Sequence, residues 1–379
     1  MAVPTALAVR RSSRNPGMLV DYADDLRLFP SLLTKLAALA LVVVWVVTPL
    51  SLTDYPLNIL GYAGVAAIGA IGLNLLIGYT GQVSLGHGFF VAVGGYVVAY
   101  LGAELGLPLV VWLPAAALIG ALLGSAIGPF ALRLRGNYLV IVTLGLLFVG
   151  RYVFDNWDSV TGGGTGVAAT GALPTLDAPT FELFGSTFTD DQGFFWLIWF
   201  FAGVVALLAK NIVRSRPGRA MQAIRDRDLA AEVVGVSLAR YKIGAFAWSS
   251  AFAAVAGALY GVLEGFVNWV DPPTRMLLLS IQYLAIVIIG GVGTIYGAVL
   301  GALLVGSLPQ IIQTLSLNTD LPFVSGDAGG QAGFIEVAAL NNAIYGLLII
   351  VFLIVEPHGL AAVWRRIKTW FLSWPFSYS

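Results

Sequence analysis

Ten apolar runs of 16 to 24 residues divide this chain, at about residues 32–51, 57–78, 86–103, 109–132, 138–154, 194–209, 241–264, 277–293, 295–315 and 341–357. Runs of that length with almost no charge are built to cross a hydrocarbon core as helices, because lipid offers no partner to an open backbone. Composition agrees: only 11% of the 379 residues are charged, against about a quarter in soluble domains. The expected fold is an all-α polytopic membrane protein with about ten transmembrane helices. One pair stays open. The turn Gly290 to Thr294 carries no charge, so 277–315 reads either as two spans or as a re-entrant hairpin.

The loops sort by charge. The N-terminal tail (Arg10, Arg11, Arg14, Arg27), Arg133 with Arg135, the 209–242 loop and the tail with Arg365, Arg366 and Lys368 fall on one side. Asp54, Glu104, the 155–193 loop with six acids and no Lys or Arg, and the 316–340 loop fall on the other. Positive charge collects in the cytoplasm, which places both termini there. The division is a cytoplasmic tail over 1–31, a membrane domain over 32–357 and a second tail over 358–379. No small-residue cleavage site follows the first apolar run, so it reads as an uncleaved span rather than a signal peptide. There are no cysteines, hence no disulfide or thiol chemistry. Two histidines, His87 and His358, do not make a multi-histidine metal site.

Residues 209–242 carry eight of the 20 Lys and Arg. Pro217 suits the first turn of a short helix, and Arg219 to Arg225 continue it. Asp226 or Asp228 is the expected cap of a second helix, with Gly235 as its stop. Leu229, Val233 and Val236 then form an apolar stripe, with Glu232 and the Arg225–Asp228 block off it. Such a helix fits a groove of a soluble partner; a helix lying on the headgroups has the same pattern.

Glycines recur every fourth residue at Gly120/Gly124/Gly128, Gly257/Gly261/Gly265 and Gly293/Gly297/Gly301. That spacing returns to one helix face and lets backbones approach, which implies helix packing. A surface that slides during transport has the same spacing. The stretch 78–88 differs, with four glycines among Tyr79, Thr80, Gln82, Ser84 and His87. It reads either as an ordinary turn or as broken backbone lining a cavity. A second polar cluster holds Arg151, Asp155, Asn156 and Trp157. Arg151 and Asp155 stand four apart and can pair on a helix.

No Gly-Lys dipeptide occurs, so there is no phosphate loop of the Walker type, and no nucleophile elbow or HExxH motif appears. Apart from His87, the middles of most spans lack ionisable groups, which such carriers use to couple ions or protons. Sodium sites made of backbone oxygens remain open.

Several segments together resemble the LivM-type permease subunits of branched-chain amino acid ABC importers, over roughly residues 55 to 360. They are Asn74–His87, Leu134–Gly145, Asn156–Trp157 through Thr161–Gly163, Gly218–Met221 through Ala231–Gly235, Ala256–Gly261 and Gly290–Gly297. The resemblance implies a permease in a bacterial plasma membrane that imports branched-chain or other small amino acids. Its partners would be a second homologous permease, two cytoplasmic ATPases that bind the ATP and magnesium, and an external binding protein. This chain itself would hold no cofactor and no nucleic acid. The 209–242 loop would couple to the ATPases through Arg219, Arg225, Asp226, Asp228, Glu232 and Gly235. Pathway candidates are Tyr79, Thr80, Gln82, Ser84, His87, Asn137 and Thr143. Arg151, Asn156 and Trp157 are candidates for an outer gate or binding-protein contact. Two other readings stand beside this one: urea or short amides as substrate, and a self-contained channel whose loop binds a regulator.

Overall fold

The computed structural model describes residues 32–133, 137–173, 180–183, 186–271, 273–312, 324–325, 335–355 and 359–373. The N-terminal tail, Leu134 to Gly136, most of the 316–340 loop, His358 and the last six residues lie outside that set.

Each expected apolar run is helical over most of its described residues. The elements are α1 (Leu32–Ser51), α2 (Asp54–Thr80), α3 (His87–Val97, continued by a π turn over Val98–Glu104), α4 (Leu109–Ile127) and α5 (Asn137–Asn156). Then come α6 (Asp190–Arg214), α7 (Arg216–Asp226), α8 (Asp228–Val233), α9 (Leu238–Glu264) and α10 (Arg275–Gly290). Last are α11 (Ile295–Gly301, continued by a π turn over Ala302–Gly306), α12 (Val337–Val355) and α13 (Leu360–Ser373). Among the described residues six helices are long and apolar enough to cross a membrane: α2, α4, α5, α6, α9 and α11 with its continuation to Ile312.

Contacts divide the chain after Val44. Leu32–Val44 belongs to the first unit, and Leu36, Leu39 and Leu41 there are exposed. Trp45 onward forms the second unit. In it α2 and α9 are central: 83% and 78% of their apolar windows are buried, against 28% for α4 and α5. The reason is side-chain size. Ser249, Ser250, Ala253, Ala254, Ala256, Gly257 and Ala258 make α9 thin enough for α2, α3 and α4 to close on it. A Cβ at Gly94 would collide with the Ala254 carbonyl, and one at Gly257 with the Val91 carbonyl. Gly120 would meet Ala254 Cβ at 2.6 Å and Gly128 the Cα of Ile243 at 2.9 Å. Gly301 meets Ile286 and Gly290. The four-residue glycine repeats are therefore packing surfaces within the subunit. Gly293 and Gly265 are exceptions, left-handed residues at φ +80 and +69 that end a turn and a helix. By contrast α4 and α5 turn Leu118, Leu122, Ile141, Phe148 and Val149 outward, an apolar surface suited to lipid.

One end of the second unit is acidic. There Thr189 caps α6 in a capping box with Gln192, and its hydroxyl donates to Asp54 Oδ1 at 2.8 Å. Asn58 donates to Asp191 at 3.1 Å. Val167–Ala168 pairs antiparallel with Phe266–Val267, which fixes the 155–173 loop to the end of α9. The other end is basic and carries α7 and α8. α10 begins at Arg275 beside Trp269, at the acidic end. The turn after it meets Asn74 and Arg225 at the basic end. α10 thus runs from beside Trp269 to this turn and α11 returns alongside it; α10 is shorter than the six membrane-length helices. The Gly359–Ala362 segment packs on the same turn.

Candidate functional site

The site begins where α2 stops. Gly81 takes φ +69, a left-handed position that a Cβ would strain. Its N–H donates to Ile77 O at 3.1 Å, the bond of an αL cap, and Gln82 N–H donates to Leu76 O at 3.2 Å. The chain then doubles back. His87 bonds through Nε2 to Gly69 O at 2.9 Å. Gly69 lies eleven residues before Thr80, or about 16 Å along α2 at about 1.5 Å per residue. The six residues Gly81 to Gly86, which contain no helix, can stretch about 20 Å. They re-enter the bundle and reach half the length of α2.

Such backbone survives in an apolar interior only when its polar groups are paired. Leu85 N–H donates to Thr143 Oγ1 at 3.1 Å, and that hydroxyl donates to Val140 O at 3.0 Å. Gly86 N–H uses Ser84 Oγ at 3.2 Å. Gly88 N–H uses Ser280 Oγ at 2.8 Å. Thr80 Oγ1 donates to Leu76 O and accepts Gln82 Nε2–H at 3.0 Å. Of the two readings of 78–88, broken backbone entering the bundle is the one the structure has, with Gly81 and Val83 exposed at its outer end. Tyr79, Thr80, Gln82, Ser84, His87 and Thr143 are all buried around it. Asn137 opens α5, and its side chain lies outside the described set.

His87 is a strut. A carbonyl only accepts, so Nε2 carries the hydrogen, and the ring stands edge-on to Tyr283 at 5.0 Å. Gln82 Oε1 is different: it is buried with no partner among the described residues.

The basic loop lies against the outer end of this segment. Pro217 sits in the first turn of α7, which buries Gly218, Met221 and Ile224. Neither Asp226 nor Asp228 caps α8, contrary to expectation. Arg227 does so in extended backbone, at φ −158. Asp228 is the first helical residue; its Oδ1 accepts Leu229 N–H at 2.9 Å and its Oδ2 lies 3.9 Å from Lys242 Nζ. From the first helical position the aspartate still takes one of the orphan N–H groups of the first turn. Gly235 ends it at φ +89.

Two faces of the loop separate. Leu229, Val233 and Val234 are 60%, 87% and 78% exposed, while Val236 of the expected stripe is partly buried. Arg219, Asp226 and Glu232 are also exposed, and Arg219 Nη1 donates to Arg214 O at 3.0 Å. Arg225 is exposed too, but its guanidinium reaches the end of α2, with Nη1 donating to Gly78 O at 2.5 Å. Beside it Asn74 Nδ2 donates to Thr294 O and Asn74 Oδ1 accepts Gly293 N–H, both at 2.8 Å. Arg225 and Asn74 thus join α7, the end of α2 and the α10–α11 turn in one polar knot.

At the acidic end Arg151 donates Nε–H to Val270 O at 3.3 Å. It does not pair with Asp155: no ion pair between them forms among the described residues, because the 266–270 segment offers a nearer acceptor. Asn156 folds onto its own helix, donating to Tyr152 O at 2.8 Å. Trp157 is 53% exposed, and its carbonyl accepts from Thr161 at 2.9 Å. Sequence reasoning missed a cavity between α2, α9, α10 and the end of α11. Its lining comes from four distant segments, so no local pattern announces it.

Set beside known proteins, residues 55–353 match a family model described as "Branched-chain amino acid transport system / permease component". The high-affinity branched-chain amino acid transport system permease protein LivM of Salmonella typhimurium is 34% identical over 286 residues, 71% of this chain and 66% of that protein. The chain thus spans just under two thirds of that relative's length. The LivH permease protein of the same organism is 30% identical over 67% of this chain and 83% of its own. The ribose import permease protein RbsC of Haemophilus influenzae is 26% identical over 70% and 79%. No solved structure matches.

Proposed function

This chain belongs to the family of branched-chain amino acid transport system permease components, and from that premise we propose that it is the membrane subunit of an ATP-driven importer in a bacterial plasma membrane. Its cargo is a branched-chain or other small apolar amino acid, handed over by a binding protein at the acidic end. Its partners are a second, related permease and two cytoplasmic ATPases that hold the ATP and magnesium. The basic end and both termini face the cytoplasm, in keeping with the charge of the loops.

The observation that carries the reading is the division of the basic loop into two faces. An exposed Leu229–Val233–Val234 tip on a short tethered helix costs free energy in water and is covered when a groove receives it. The opposite face, through Arg225, is tied to the re-entrant segment and the α10–α11 turn. A push on α8 from an ATPase therefore arrives where the spans are interrupted. Apart from His87, the middles of most spans carry no ionisable group to couple to an ion gradient, which agrees with an engine outside the chain.

The test is co-purification with candidate ATPase subunits, using the parent chain, Arg219→Ala with Glu232→Ala, and Leu229→Asp with Val233→Asp. The parent retains an ATPase and the aspartate variant loses it at least tenfold without loss of thermal stability. If no ATPase binds, and the purified chain alone passes solute in liposomes without ATP, the importer reading fails and a facilitator replaces it.

A further inference from the structure

Near the acidic end α2, α9, α10 and the end of α11 leave a partly open cavity of about 310 Å3. At about 30 Å3 per molecule of liquid water, it has room for roughly ten heavy atoms, the size of one free amino acid. Helix packing elsewhere in the unit is tight enough that single Cβ atoms would collide, so a void of this size is a departure that calls for an occupant.

The lining has two characters. One wall is aliphatic, with Val65 from α2 and Leu278, Leu279 and Ile286 from α10. The other is polar and aromatic. Arg275, half-buried, holds its guanidinium 5.2 Å from the centre of the Trp269 ring. Tyr260 Oη donates to Glu264 Oε1 at 2.7 Å, which brings an exposed carboxylate to the same side. Tyr62 meets Tyr260 edge-on at 6.0 Å. Trp269 Nε1 and Gln310 Oε1, both on lining residues, are buried without a hydrogen-bond partner among the described residues. Both atoms are sealed from the void, Trp269 Nε1 against Gly95, so the charged lining residue Arg275 is the group offered to a polar occupant.

Building on the importer reading above, we propose that this cavity is a binding site within the single subunit for a free α-amino acid with an aliphatic side chain. Arg275 takes the α-carboxylate, for which a guanidinium is shaped. Glu264, at the rim through its bond to Tyr260, and the face of Tyr62 take the α-ammonium. Val65, Leu278, Leu279 and Ile286 take the side chain. Specificity for zwitterions then resides in this chain as well as in the delivery protein. The floor of the site is Tyr283, the ring against which His87 packs at the tip of the re-entrant segment.

The experiment is equilibrium binding of radiolabelled L-leucine to the full-length chain in lipid nanodiscs, without ATPase or binding protein. Isoamylamine, which lacks the carboxylate, and 4-methylvalerate, which lacks the ammonium, serve as competitors. The expected result is saturable leucine binding, with each competitor at least tenfold weaker than unlabelled leucine. Arg275→Gln weakens leucine at least tenfold and leaves isoamylamine unchanged. Leu279→Trp, which fills the aliphatic side, removes binding of both. Unchanged unfolding temperatures exclude misfolding of the variants. Absence of leucine binding by the parent chain overturns the proposal, as does leucine binding that neither variant alters. These outcomes are independent of ATPase association, so this site can fail while the importer reading stands, and the reverse.

Discussion

Asn74→Leu tests the polar knot at the basic end. The Asn74 side chain is 1% exposed and satisfies two backbone groups of the α10–α11 turn, Gly293 N–H and Thr294 C=O, each at 2.8 Å. Leucine has nearly the same shape and neither hydrogen bond. Two interhelical bonds at the membrane average of about 0.6 kcal/mol would cost about 1 kcal/mol. Here the two partly buried backbone groups would also lose their partner behind a leucine that keeps water out, at about 1–3 kcal/mol each. Burial decides between the figures, and the expected loss is about 2–4 kcal/mol. At about 2 °C per kcal/mol for a long chain, the unfolding temperature drops by roughly 4–8 °C. Asn58→Leu is the comparator on the same helix. Asn58 holds Asp191 across a partly buried site at 3.1 Å, where water replaces the lost group, so its loss stays near 0.5 kcal/mol. The assay is thermal unfolding in nanodiscs, together with hydrogen exchange of 291–296. In the parent the Gly293 amide is protected, and in Asn74→Leu it exchanges. Equal shifts for the two variants, or a Gly293 amide that stays protected without Asn74, would refute the reasoning.

Other expectations follow from the same geometry. Gly257→Ala drives a Cβ into the Val91 carbonyl and costs about 1–3 kcal/mol or more. Gly203→Ala on α6 meets nothing within 4 Å and stabilises by up to about 1 kcal/mol; unfolding temperatures of the two variants move in opposite directions. Arg225→Met removes a charge-assisted bond to Gly78 O worth about 1.5–3 kcal/mol. It lowers ATP-dependent uptake about tenfold or more while α8 still retains the ATPase on an affinity column. His87→Gln keeps an N–H donor within reach of Gly69 O and retains uptake, whereas His87→Leu orphans the re-entrant tip and lowers both stability and uptake in a vesicle assay.

The sequence determined the class of this protein and much of its plan. The apolar runs specify membrane helices because an unpaired backbone cannot stand in lipid, and the helix bounds follow them to within a few residues, as at 57–78 against Asp54–Thr80. The pair of short helices in the basic loop was legible from Pro217 and Gly235, since these residues act through local backbone geometry. The glycine repeats announced close packing, though not which helix lies opposite. Tertiary structure alone decided the rest. Whether 78–88 turns at the surface or re-enters depends on Thr143 and Ser280, which are 58 and 192 residues from the groups they receive. Arg225 reads from the sequence like its neighbours on the loop and is exposed as they are, yet its guanidinium is tied down because Gly78 O lies within its reach. Arg151 chose Val270 over Asp155 for the same kind of reason. The cavity is assembled from residues between Tyr62 and Gln310. Patterns of period three and four encode which face of a helix is buried; partners between distant segments are fixed only when the helices pack.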